Sequence, residues 1–246
     1  MRSRLGKFTS GEKGASAVKE VDCHGKISRE INREIRQLIQ AGERDIQVHH
    51  PQARHNLGVA ILQQIKLTIT GSVGYYCGGL MDGATIEVQG SCGWGLAESM
   101  MGGTVIVGQN AGNSTAASIR GGTVVIRGSA SSRAGIAMKG GTVIVQGNSG
   151  YMTGFMMQKG TIIVCGDTAE ALGDSMYEGR IFVGGRIADL GNDAVIEEVT
   201  DEDASFLKTT LAQYDIDVPS AFQKVVAGKR LWHFDKKDFE TWREAL

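Results

Sequence analysis

Five segments of this chain repeat one wording at an unbroken spacing: Thr85-Ile-Glu-Val-Gln-Gly, Thr104-Val-Ile-Val-Gly, Thr123-Val-Val-Ile-Arg-Gly, Thr142-Val-Ile-Val-Gln-Gly and Thr161-Ile-Ile-Val-Cys-Gly. The starting positions 85, 104, 123, 142 and 161 differ by 19 each time, with no insertion or deletion. One further step reaches Arg180-Ile-Phe-Val-Gly-Gly. Stepping back gives Lys66-Leu-Thr-Ile-Thr-Gly, then a worn copy at Gln47-Val-His-His. A unit this short cannot bury its own apolar face, so its copies must stack on one another. About eight coils are expected between residue 47 and the high 190s.

Each unit is a β-branched run closed by glycine, which is strand chemistry followed by turn chemistry. Of 35 glycines, 27 lie between Lys66 and Gly185, so the excess is punctuation of the repeat. A helical bundle is excluded, because an interior glycine costs about 1 kcal/mol there. Side chains alternate along a strand, so positions one and three after each start share a face. The first ladder runs from Val48 through Leu67 and Ile86 to Ile181, and the second from His50 through Ile69 and Val88 to Val183. Both are almost wholly apolar and are expected to point inward. A third ladder, fifteen residues into each coil, runs from Leu62 through Met81, Met100, Ile119, Met138, Met157 and Met176 to Val195. Methionine in that setting is core filler. The pattern describes an all-β core in the form of a parallel β-helix. Nineteen is not a multiple of the six-residue unit of the left-handed kind, so a right-handed solenoid is expected.

Three regions follow: an N-terminal arm over 1–21, a capping helix with the β-helix over 22–199, and a helical, aromatic tail over 200–246. Ser28 is the expected N-cap of a helix over 29–41, with Ile31, Ile35, Leu38 and Ile39 on one face and Gly42 as its stop. Thr200 and Asp203 form a capping-box pattern leading Phe206, Leu207, Thr210, Leu211 and Tyr214 along one face. A second short helix is expected from Pro219 to Gly228. Residues 206–246 hold seven of the chain's 15 aromatics. The position two after each start should face outward, and from Ile106 it reads Val125, Ile144, Ile163 and Phe182. Such a stripe needs a cover, either the aromatic C-terminal segment or another subunit.

Chemistry is sparse. Net charge is −1, with 26 Lys+Arg against 27 Asp+Glu, so there is no bulk electrostatic case for nucleic acid or an anionic membrane. Cys23, Cys77, Cys92 and Cys165 form no CxxC and fall on different edges of the coil, as small buried groups would. His49, His50 and His55 cluster near one end with Arg54, but no carboxylate sits at matching spacing and His50 occupies an inward ladder. A structural or interface role is expected of them. The string Gly90-Ser-Cys-Gly-Trp-Gly has glycines that recur as turn residues in every coil, not a strand-to-helix phosphate loop. Glu98 and Asp174 share a coil position but stand four coils apart, so no acidic groove of a polysaccharide-cleaving β-helix forms. No residue is assigned a catalytic, cofactor-binding or metal role. The N-terminus MRSRLGKFTSGEKGAS lacks an apolar core, no apolar run reaches about 18 residues, and a cytoplasmic setting is expected.

The glycine-punctuated coils, the helix SREINREIRQLI and the following ARHNLGVAI resemble the C-terminal β-helix of the glutamate synthase large subunit, often called the GXGXG domain. The resemblance covers roughly residues 22–200. In that family the β-helix is a scaffold between amidotransferase and flavin/iron–sulfur domains. As a separate chain, this one is most similar to the β-helix subunit of N-methylglutamate synthase (methylamine–glutamate N-methyltransferase). The resemblance implies a noncatalytic scaffold subunit of a hetero-oligomer. A glutamine amidotransferase-like subunit and a synthase subunit carrying FMN and an iron–sulfur cluster would be its partners. A β-helix subunit of the formylmethanofuran dehydrogenase type is the family-level alternative, and a stand-alone carbohydrate-active β-helix is a second. A free-standing dinucleotide-binding chain would bind NAD or FMN unaided.

Overall fold

The computed structural model describes residues 18–229. The strands are β1 (Lys19–Asp22), β2 (Asp45–His49), β3 (Lys66–Thr70), β4 (Thr85–Val88), β5 (Thr104–Val107), β6 (Thr123–Ile126), β7 (Lys139–Val145), β8 (Lys159–Val164), β9 (Arg180–Val183), β10 (Ala194–Glu197) and β11 (Gln223–Ala227). The helices are α1 (Ser28–Gln40) and α2 (Asp201–Ala212). Strands β1 to β9 run parallel in chain order, and β11 then β10 close the sheet antiparallel. The result is the expected right-handed solenoid. At ~4.8 Å per strand spacing, the seven steps from β2 to β9 span roughly 34 Å.

The 19-residue period appears directly as pairing, since Thr85 aligns with Thr104, Thr104 with Thr123, Thr123 with Thr142 and Thr142 with Thr161. Leu67, Ile86, Val105, Val124, Val143, Ile162 and Ile181 are buried in one inward ladder, and the second ladder from Ile69 to Val183 is buried beside it. Met81, Met100, Ile119, Met138, Met157 and Met176 fill the third side of the core. Glycine at the corners is a stacking requirement. At Gly122, φ is +79°, and an added Cβ would lie 2.5 Å from the Gly103 carbonyl oxygen of the previous coil. A polar ladder binds another edge: Ser72, Ser91, Asn110, Ser129, Asn148 and Asp167 each accept a backbone N–H of the following coil at 2.8–3.3 Å.

The ends depart from the repeat. Asp45 pairs with Lys66, so the first coil is 21 residues long. Ile46 therefore heads the first inward ladder and Val48 the second. His50 is not inward; it is exposed, just past β2, at φ +54°. Ile61 takes the buried place expected of Leu62, which is exposed. Val195 also leaves the methionine ladder, because β10 lies outside the parallel stack.

Residues 19–21, expected in the arm, belong to β1, which pairs with β2 in register Lys19 to Ile46 and buries Val21. Residues 1–17 lie outside the described residues. The N-cap of α1 is Ile27, one residue before Ser28, and its N–H donates to the Glu30 carboxylate at 3.0 Å. Ile31, Ile35 and Ile39 seal the first coil, and Asn32 ties the helix to it by hydrogen bonds with Asn56 O and Gly58 N.

At the other end Thr200 caps α2, accepting from Asp203 N while Asp203 accepts from Thr200 N. Leu207, Leu211 and Ile216 cover Val125, Ile144, Ile163 and Phe182, with Ile106, Phe206, Tyr214 and Phe222 packed at the margin. The outer stripe is thus covered within the chain, by α2 and the loop after it. Residues 230–246, the last part of the aromatic tail, lie outside the described residues. The helix expected from Pro219 is instead β11. Its Val225 and Val226 favour extended backbone, and the open edge of β9 supplies a ladder, so pairing overrides the first-turn preference of Pro219.

Candidate functional site

A group of large apolar and aromatic side chains is left exposed at the first coils of the rod. His55, Tyr75 and Trp94 stand one coil apart with rings nearly parallel, at centroid separations of 4.4 and 5.3 Å. The His55 Nδ1 accepts from Tyr75 N at 2.8 Å, which fixes the ring as the first rung. Tyr75 and Trp94 keep 40% and 53% of their surface, and Tyr76 and Leu80 beside them are similarly exposed. The Tyr75 ring is stacked on both sides, by His55 and by Trp94, so neither of its faces is an open platform for a sugar.

Two clefts of about 350 and 280 Å³ adjoin this stack and share Tyr76 and Glu98 as lining. Leu80, Trp94 and Ile136 add apolar walls, and Ser99, Ser118 and Ala137 line the clefts from left-handed backbone. The clefts are shallow, apolar and bordered by a single carboxylate. That arrangement suits contact with another macromolecule through exposed aromatic and apolar surface.

The three histidines grouped in the sequence go separate ways. His55 is a rung of the stack. His49, at the end of β2, meets Thr70 Oγ1 through Nδ1 at 3.2 Å, with its Nε2 3.9 Å from Glu20. His50 turns to Asp22, the last residue of β1, and to His24 in the turn that follows it. The Nδ1 atoms of His24 and His50 each lie 3.1 Å from Asp22 Oδ1. Hydrogen bonds from His24 N–H and from His50 hold the Asp22 carboxyl down at a pKa of about 2. The carboxylate that the local spacing of these histidines does not offer comes from Asp22, which β1 brings opposite His49. The alternation Glu20, Asp22 outward and Val21, Cys23 inward was the available signal.

The cysteines are packing groups. Burial pushes the Cys77 thiol up to about 12 and the Cys165 thiol to about 11, and raises Cys92 and Cys23 as well. Cys92 sits in a bridge ladder with Val73, Ala111 and Ala130, where small side chains stack. Around Gly90 and Gly93 an added Cβ would strike Ser72 and Tyr75 of the previous coil, at 2.4 and 2.6 Å. That space holds a neighbouring coil and leaves none for a phosphate. Glu98 borders the clefts, whereas Asp174 is buried and accepts from Asn192 and Ser175. Their separation along the rod leaves them without joint chemistry.

The model of the GXGXG motif family matches residues 22–237. This chain belongs to the GXGXG motif family. The match runs from the end of β1 through β11, so the family's signature is the solenoid itself. The GXGXG chain is 41% identical over 62 residues to Protein GlxC of Rhizobium meliloti (strain 1021); that stretch is 24% of this chain and 27% of GlxC. Its fold is similar to a chain in the crystal structure of the formyltransferase/hydrolase complex (FhcABCD) from Methylorubrum extorquens in complex with methylofuran. The TM-score is 0.62 at 26% identity, covering 70% of this chain and 67% of that one. Among the described residues, no helix is long and apolar enough to cross a membrane.

Proposed function

We propose that this GXGXG chain is a noncatalytic scaffold subunit of a glutamate synthase-like complex, with N-methylglutamate synthase as its assembly. The observation that carries the reading is the exposed aromatic patch of Tyr75, Tyr76 and Trp94, held on a rod whose own apolar stripe is already covered. A surface of that kind, left over after self-cover, is available to a partner. An amidotransferase-like subunit and a synthase subunit carrying FMN and an iron–sulfur cluster are the partners in this reading. The rod contributes a stiff spacer of fixed length between them, and this chain itself holds no flavin.

The likeness to a chain of the formyltransferase/hydrolase complex favours a second reading, a β-helix subunit of a formyl-transferring assembly. One experiment separates them. Tagged full chain is purified gently from its native cells, its companions are identified by mass, and the eluate is assayed for flavin absorbance and for methylamine-dependent N-methylglutamate formation. Amidotransferase-type and synthase-type companions in fixed ratio, with flavin and product, support the first reading. Companions of the formyltransferase and hydrolase type support the second, and a colourless chain without companions overturns both. Trp94→Ala and Tyr76→Arg should each release the companions while leaving the isolated chain's unfolding midpoint within a few degrees, since both side chains are exposed.

A further inference from the structure

We propose that Asp22, His24 and His50 form a surface site for a divalent transition metal of the zinc class at the α1 end of the rod. Among the described residues, these three bring one ligand atom each to within 4.8 Å of one another. The proposal is independent of the scaffold reading, since it rests on a different part of the surface.

The geometry is close to what coordination requires. A tetrahedral zinc ion with bonds of about 2.0–2.2 Å to imidazole nitrogen and carboxylate oxygen sets its ligand atoms about 3.3 Å apart. Asp22 Oδ1 already lies 3.1 Å from each imidazole Nδ1, so a metal would widen those two edges by only a few tenths of an ångström. Two imidazoles and one carboxylate suit zinc, cobalt or nickel better than the hard cations calcium and magnesium, which take oxygen donors.

The backbone holds the set in place. Asp22 ends β1 and pairs with His49, so the residue after β2, His50, stands alongside it. His50 takes left-handed backbone at φ +54°, which turns its ring across to Asp22. Gly25, at φ +68°, closes the turn that carries His24 back, and His24 N–H anchors the carboxylate at 2.9 Å. The two rings are 4.2 Å apart and tilted by 46°. Each of the three side chains is more than half exposed, so an ion has a direct path in and a fourth position faces solvent. Binding needs both rings in the Nε2–H tautomer, with any Nδ1 proton released to water. The ion would staple the β1 turn to the exit of β2.

The test uses full-length chain without a polyhistidine tag, stripped with chelator and titrated with Co²⁺, read by visible absorption, then displaced by Zn²⁺. One equivalent should bind saturably, and Zn²⁺ should raise the thermal midpoint. His24→Ala, Asp22→Asn and His50→Asn should each weaken binding at least tenfold and remove the Zn²⁺-dependent rise. Asparagine is chosen at position 50 because it tolerates left-handed backbone. His55→Ala should bind as the parent does. Circular dichroism without metal should be unchanged in the three ligand variants, as expected of exposed positions. Absence of saturable binding, or equal affinity in parent and His24→Ala, would overturn the proposal.

Discussion

Ile144→Asp tests whether the cover over the outer stripe holds the tail on the rod. Ile144 is fully buried in the satellite core beneath Leu207, Leu211 and Ile216. Two routes are open to the variant. If α2 stays docked, loss of the isoleucine side chain costs about 2–5 kcal/mol, as for large-to-small core changes. The unpartnered carboxyl adds about 1–3 kcal/mol of desolvation. If α2 lifts away, three side chains return to water at about 1.5–3 kcal/mol each, roughly 5–9 kcal/mol in all. The cheaper route sets the result, so a loss of about 3–8 kcal/mol is expected in urea unfolding of the full chain. Thr68→Lys is the matched control. It lies on the same outward ladder beyond the reach of α2, next to Glu87, a charged residue that pairs with Lys66 at 3.0 Å. That change should stay within about 0.5 kcal/mol of the parent. Equal costs for the two variants would refute the self-cover reasoning.

Asp203 is buried between Arg180 at 2.8 Å and Lys224 at 3.0 Å. Burial alone would raise its pKa, but Lys224 and the Thr200 cap outweigh that and leave it lowered. Its stabilising contribution is therefore full above the unfolded carboxylate pKa of about 3.9 and is lost as pH falls through the lower folded value. The parent should lose stability below about pH 4, and Asp203→Asn should be less stable at pH 7 with a flatter acid limb in pH-dependent unfolding. Gly122→Ala should cost at least about 2 kcal/mol by urea unfolding, because left-handed backbone and a clash with the previous coil's carbonyl add together. Gly25→Ala, with equally positive φ but open space around it, should cost only about 1 kcal/mol. A thiol reagent at pH 8 should label Cys77 and Cys92 slowly in the folded chain, and all four cysteines rapidly after denaturation. Rapid labelling of Cys77 in the folded chain would contradict its burial.

The solenoid was legible because its register is written as a period, and neighbours one coil apart in space are 19 residues apart in sequence. The same regularity made Ile144 and Ile163 recognisable as an outward apolar run in need of a cover. Legibility ended where the period did. The two extra residues of the first coil shift every alignment before Lys66, which is why Val48 and His50 were placed one ladder step out. Strand β11 was missed because its partner β9 is 40 residues away and a local pattern of Pro219 followed by Gly228 reads equally well as a helix. The convergence of Asp22, His24 and His50 joins two chain segments across a strand pair, and nothing local announces that pairing. The aromatic rungs Tyr75 and Trp94 share a coil position, yet His55, the first rung, lies within the displaced coil and escapes the count.

The direction of β11 has a consequence for how such a rod behaves at high concentration. A stack of parallel strands that ended at β9 would offer a bare edge of the same polarity as every strand before it. The β1 edge of a second molecule could add there as if it were the next coil, and growth would continue into a fibre. β11 occupies that position running the other way, and β10 beyond it, which regains the original direction, is only four residues long and ends in the charged Glu197, so the edge left to a further coil is short and blunted. At the opposite end α1 lies over the core, and β1 presents the charged residues Lys19, Glu20 and Asp22. The antiparallel pair of β11 and the short β10 thus acts as a terminator, giving a repeating polymer a defined last unit.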